Sequence, residues 1–155
     1  MLPFAVALEL LRRKQYIVSA STQGYHFKDE SEAQRKFNNL SIQQRGKFET
    51  ESVSKYGGVD YSPAKSNKPS SSYSSKATMA VVTIVLLIDG DSTSKQLSSK
   101  VNSIQDVENA LSRIAADSKI DDCLRGAEIL WTPEDRDETL TMRDILADYP
   151  SLRSV

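Results

Sequence analysis

The chain has 155 residues, 39% of them hydrophobic and 26% charged, with a formal net charge of −1. That length supports one domain with its own core, and the composition excludes wholesale disorder. A lone cysteine, Cys123, excludes an internal disulfide, and dispersed basic residues without interleaved aromatics exclude a nucleic-acid track.

MLPFAVALELLRRK opens the chain. About ten apolar-leaning residues precede Arg12, too few to span a bilayer, and the cationic start and small-residue cleavage site of a signal peptide are missing. Pro3 suits the first turn of a helix, and Leu2, Val6, Leu10 and Leu11 fall near helical spacing. This predicts an amphipathic helix packed on the core, starting as abruptly as if inside a domain. Residues 16–22, YIVSAST, are rich in β-branched and aromatic side chains and predict a strand ended by Gly24.

From Glu30 onward, Ala33, Phe37 and Leu40 lie at helical steps. Ser41 with Gln44 has a capping-box pattern that restarts or continues the helix through Phe48 to about Ser54. Its thin apolar stripe places it across the surface. Residues 56–76 contain seven serines, two glycines and two prolines, and predict a flexible connector inside the domain. Residues 77–89, ATMAVVTIVLLID, form a continuous apolar run closed by Asp89, Gly90 and Asp91. The run predicts a central strand buried on both faces.

Ser103 and Asp106 form a capping box ahead of a stripe of Ile104, Val107, Leu111, Ile114 and Ala115. AEILWT, 127–132, predicts the next strand, and strand, helix, strand predicts a parallel βαβ unit with a right-handed crossover. Thr141 with Asp144 then caps a short helix carrying Met142, Ile145 and Leu146, which Pro150 ends. The expected fold is α/β, with α+β as the alternative. It is a two-layer sandwich in one domain over 1–155, with the strand at 16–22 joining the same sheet and helices packed on it.

The charges are unevenly placed. Residues 1–76 carry 12 Lys and Arg against 7 Asp and Glu, and residues 77–155 carry 8 against 14. Opposite charge lets the two parts attract each other across one fold. Chemistry is harder to find. Glu134, Asp135, Asp137 and Glu138 lack the alternate ligand spacing and central glycine of a calcium loop, and one His with one Cys cannot close a zinc site. His26 lies in a loop, GYHFKDE, with no nucleophile motif around it, and no phosphate-cradling glycine loop is present. The expectation is therefore no catalytic, cofactor or metal residue and no small-molecule substrate. Glu128 reads either as an inward proton-transfer carboxylate or as an outward charge paired with the basic half, and the second reading is adopted. An uncharacterised enzyme or cation-binding domain using Glu128 and the 134–138 carboxylates is the alternative. Trp131 and Tyr149 are expected to dock the last helix on the sheet. Together with Pro133, Asp148 and Pro150 they are also the candidate contacts for a protein partner.

Four blocks carry a resemblance: LLRRKQYIVSAS, EAQRKFNNLSIQQRGKFETES, VVTIVLLI and AEILWTPEDRDETLTMRDILADYPSLR. They resemble domain-of-unknown-function family fifteen-seventeen of plants and cyanobacteria from about Leu10 to Arg153. The most specific parts are LWTP, Leu130 to Pro133, and the ending formed by Leu146, Asp148, Tyr149, Pro150 and Leu152. The resemblance implies a chloroplast protein at the thylakoid or envelope membrane, regulating photosynthesis and photoprotection through protein partners. It brings no catalytic residues. Members usually carry further helices, a transit peptide and hydrophobic segments before the LLR block, so the chain is expected to be shortened at its amino end. Ala127 stands where Val is commoner, and Glu134 where Gln is.

Overall fold

The computed structural model describes residues 2–56, 79–90, 97, 100–119, 123–133 and 140–155, with backbone alone for 48–56. The serine-rich stretch beyond Tyr56 and the acidic run 134–138 lie outside them. In chain order the elements are α1 (Pro3–Arg12), a 3₁₀ turn (Lys14–Tyr16), β1 (Ser19–Ala20), α2 (Glu30–Tyr56), β2 (Val81–Ile88), α3 (Ile104–Asp117), β3 (Leu124–Thr132), α4 (Met142–Asp148) and β4 (Arg153–Ser154). The mixed α/β class is as expected.

Local chemistry sets the helix ends. Pro3 occupies the first turn of α1, where its missing N–H costs nothing. The Asp29 carboxylate accepts from the backbone N–H and the hydroxyl of Ser31, both at 2.8 Å, and so receives donors at the start of α2. Both predicted capping boxes form. Asp106 N donates to Ser103 Oγ at 3.2 Å and Asp144 N to Thr141 Oγ1 at 3.2 Å, each carboxylate returning to the cap's own N–H. At Ser41 no restart occurs. Helix α2 runs through it without a break, and the buried hydroxyl has no hydrogen-bond partner.

Two clusters form the core. In the first, α1 packs along α3: Ala7, Val107, Leu111 and the loop residue Val101 are buried, and Leu10, Leu11, Ile17, Ile114 and Val155 close over them. Ala7 is wholly buried, and its small side chain suits a close approach of the two helices. Leu2 and Ile104, expected in these stripes, are exposed instead. In the second cluster Val81, Leu140 and Ile145 are buried, with Met79, Tyr149 and Leu152 packed against them. Of the α4 stripe only Ile145 is inside, because Met142 and Leu146 face water.

The sheets correct three expectations. First, β2 and β3 pair antiparallel, from Val81 opposite Thr132 to Ile88 opposite Leu124, with an irregularity at Leu87/Ile88. A parallel crossover needs its helix to lie on the sheet. Here α3 packs on α1 instead, and the chain leaves at Ile88 and re-enters at Leu124 beside its point of departure. Second, the run at 77–89 is not a central strand. Among the described residues the sheet has two strands, so β2 is an edge, and only Val81 of it is buried. Third, the strand at 16–22 does not join this sheet. Tyr16 closes the 3₁₀ turn, and only Ser19 and Ala20 pair, opposite Ser154 and Arg153 of β4, in a separate ladder.

The charge asymmetry is used across the fold. Lys14 pairs with Glu108 and Arg45 with Glu128, each joining the basic part of the chain to the acidic part.

Candidate interaction surface

Antiparallel register decides what each face of the sheet carries. Directly opposed residues share a face. One face therefore bears Val81 with Thr132, Thr83 with Leu130, Val85 with Glu128 and Leu87 with Gly126; the other bears Val82 with Trp131, Ile84 with Ile129 and Leu86 with Ala127.

The first face belongs to α2. A Cβ at Gly126 would lie 3.2 Å from Phe37 Cζ, so the missing side chain is what admits the Phe37 ring. Two residues along, Arg45 Nε donates to Glu128 Oε1 at 2.9 Å and Nη2 to Oε2 at 2.5 Å. This two-point pairing engages both carboxylate oxygens and fixes α2 over the sheet. Glu128 is paired with the basic half as expected, but it points at a helix and not at open water. Val81 leads on the same face to the cluster around Ile145 and Tyr149, and Lys47 of α2 stands 4.7 Å from the centre of the Tyr149 ring.

The second face is different. It carries six apolar side chains and no charge over the paired stretch. Trp131 is 47% exposed and Val82 38%; Ala127 is exposed, and Ile84, Leu86 and Ile129 are half-buried. Among the described residues the helix with extensive contacts to both strands is α2, which lies on the first face.

This geometry divides the residues expected to act together. Trp131 does not dock the last helix: its side chain is on the open face, whereas Tyr149 is packed into the cluster on the covered one. Ile145 holds α4 in place, because it is the buried residue of that helix. Pro133, half-buried after a cis peptide bond, follows the end of β3, and Asp148 is half-buried at the end of α4. Pro150 lines a cleft beside β1 and β4. Cys123, half-buried, precedes β3, where its carbonyl accepts from Asp89 N at 2.8 Å. His26 is exposed in its loop. Among the described residues no His, Cys, Asp or Glu cluster has metal-binding geometry. No helix among them is long and apolar enough to cross a membrane.

The open face escaped sequence reading for a specific reason. An unbroken apolar run is the expected pattern for a strand covered on both sides, and only the position of α3 reveals that, among the described residues, no helix supplies the second cover.

A family model described as "Protein of unknown function (DUF1517)" matches residues 4–155. The chain belongs to this family. Among curated relatives it is 29% identical over 146 residues to "FLUCTUATING-LIGHT-ACCLIMATION protein 1, chloroplastic" of Arabidopsis thaliana, covering 94% of the chain and 35% of that protein. It is 29% identical over 153 residues to "Protein FLAP1 homolog A" of a Synechocystis strain, covering 96% of the chain and 44% of that protein. The chain thus spans less than half the length of the curated relatives it matches. No solved structure matches it. The family match extends through the LWTP block, which ends the open face at Trp131, and through the DYP ending, which supplies Tyr149 to the second cluster.

Proposed function

We propose that the chain is a non-enzymatic regulatory and interaction domain of a chloroplast protein, acting in photosynthetic acclimation and photoprotection through protein partners at the thylakoid or envelope membrane. The observation that carries this reading is the open apolar face, with a half-exposed tryptophan at one end. Apolar side chains gathered on one uncovered face are a feature of protein interfaces, and tryptophan is prominent among the anchors that dominate binding. The setting comes from the relatives, one named for acclimation to fluctuating light and described as chloroplastic.

The face also fits a particular kind of partner. From Val82 to Leu86 is about 13 Å along a strand, which about nine residues of α-helix cover. Six side chains are far fewer than the roughly 20 to 30 per side of a standard protein interface, so a second copy docked here alone would be held weakly. An amphipathic helix of a partner protein, laying an i, i+4, i+7 stripe between the two strands, suits the dimensions.

Proximity labelling by the chain in a photosynthetic cell is expected to recover thylakoid or envelope proteins, and Trp131→Glu to abolish their recovery while the domain stays folded. Enrichment of cytosolic proteins alone, or an unchanged set with Trp131→Glu, would overturn the reading.

A further inference from the structure

Away from the sheet, three distant stretches of chain meet around a half-open cleft of about 230 Å³. Its lining includes Ala20 of β1, the buried Val101 that leads into α3, Ser21, Ser151, Lys100 and Arg153. Two of the three stretches are fixed to one another. Ala20 pairs with Arg153 in the β1–β4 ladder, Val155 N donates to Val18 O at 3.2 Å, and the Ser21 and Ser151 hydroxyls are hydrogen-bonded at 3.3 Å.

Lys100 and Arg153 are both exposed, and among the described residues neither side chain is engaged by a carboxylate. This contrasts with the ion pairs of Arg12, Arg13, Lys14, Arg45, Arg113 and Arg125. Two cations that no described carboxylate engages therefore line one small concavity, next to hydroxyls that can each make further hydrogen bonds.

We propose that this cleft binds the phosphate group of a small anion, either inorganic phosphate or a phosphate monoester. A guanidinium fork takes two oxygens of a tetrahedral oxyanion, an ammonium takes a third as a point charge, and the hydroxyls complete the set. A planar carboxylate has two oxygens, enough for the Arg153 fork, whereas a tetrahedral phosphate has a further oxygen to offer Lys100. The open mouth leaves room for the organic part of an ester. Sequence spacing gives no sign of this site, because Lys100 and Arg153 are 53 positions apart and outside any motif; the β1–β4 pairing places Arg153 beside Ala20, and Lys100 joins them only in the lining of the cleft.

The test is titration of the isotopically labelled full chain with inorganic phosphate, with glycerol 3-phosphate and with acetate, followed by amide resonances at constant ionic strength. Saturable shifts at Ser21, Ser151 and Arg153 are expected for both phosphates and not for acetate. Tighter binding of glycerol 3-phosphate assigns the site to esters, and equal binding to the free anion. Combining Lys100→Gln with Arg153→Gln should raise Kd about tenfold or more, as expected for losing two charge-assisted contacts. Lys119→Gln, on the loop after α3, should leave it unchanged. Both altered side chains are exposed, so the thermal midpoint should hold. Linear, non-saturating shifts, an equal response to acetate, or an unchanged Kd in the double variant would overturn the proposal.

Discussion

The helix pair and the strand pair solve the same problem to different extents. In the α1–α3 half, each helix is the cover of the other, and their facing side chains reach full burial with Ala7 at the contact. In the β2–β3 half, one face is covered by α2 and the other carries side chains just as apolar that stay partly in water. Burial is a property of layers and not of residues: a side chain is withdrawn from water only when a second element covers it. The helix pair should accordingly hold most of the stability, and the uncovered sheet face should be the place where the molecule can still gain from contact with something else.

The largest test of that contrast is Leu111→Ala. Leu111 is buried between α1 and α3, so its truncation should cost about 2 to 5 kcal/mol in unfolding free energy, read from the urea midpoint. A loss under 1 kcal/mol would remove the distinction between the two halves. Next comes Gly126→Val on the covered face of the sheet. The Cβ alone would stand 3.2 and 3.3 Å from the Phe37 ring and 3.5 Å from Leu87 Cβ, and two further methyls have to displace that ring. A destabilisation of about 1 to 3 kcal/mol is expected, and Phe37→Leu in the same chain should recover part of it.

A smaller effect is confined to acid. The Asp106 carboxyl is held below its usual range because it accepts from the backbone N–H of Asn102 and bonds to Ser103. A depressed folded value means that its stabilisation is present above the unfolded value near 4 and is lost as the pH falls through the folded value. Asp106→Asn should therefore lower stability at neutral pH and flatten its fall below about pH 4. The same acid-limb slope in both proteins would show that the cap does not contribute in this way.

Much of the local structure was legible in the sequence. Pro3, Ser103 with Asp106, and Thr141 with Asp144 mark helix starts through bonds made within four residues, and such bonds do not depend on the rest of the fold. Ser41 with Gln44 shows the limit, since the pattern was compatible with a restart or a continuation and sits inside a continuous helix. Strand direction was not legible. The apolar pattern of residues 81–88 and 124–132 is indifferent to parallel or antiparallel pairing, and the deciding fact is that α3 packs on α1. Of the residues expected at a site, Glu128 was placed correctly as a pairing charge because charge balance is visible in a chain. Trp131 and Tyr149 were wrongly joined, because eighteen positions of sequence separation hide that they stand on opposite faces of one sheet.

The smallest expected change in stability is also the most informative about function. Trp131 is the single tryptophan, and 47% of its surface is already in water. Trp131→Ala removes contacts with Val82 and its neighbours on the open face but leaves no enclosed cavity, so the cost should stay below about 1 kcal/mol, against roughly 3 to 5 for a tryptophan in a core. Because no other tryptophan contributes, the fluorescence of the wild-type chain reports this face directly. Emission should be that of a water-exposed indole in the isolated domain, and it should shift to shorter wavelength when an amphipathic helix covers the strands. If the substitution instead costs as much as Leu111→Ala, the face is already covered, and the difference between the helix pair and the strand pair is only apparent. If stability holds while partner recovery is lost, the uncovered layer of the fold is its working surface.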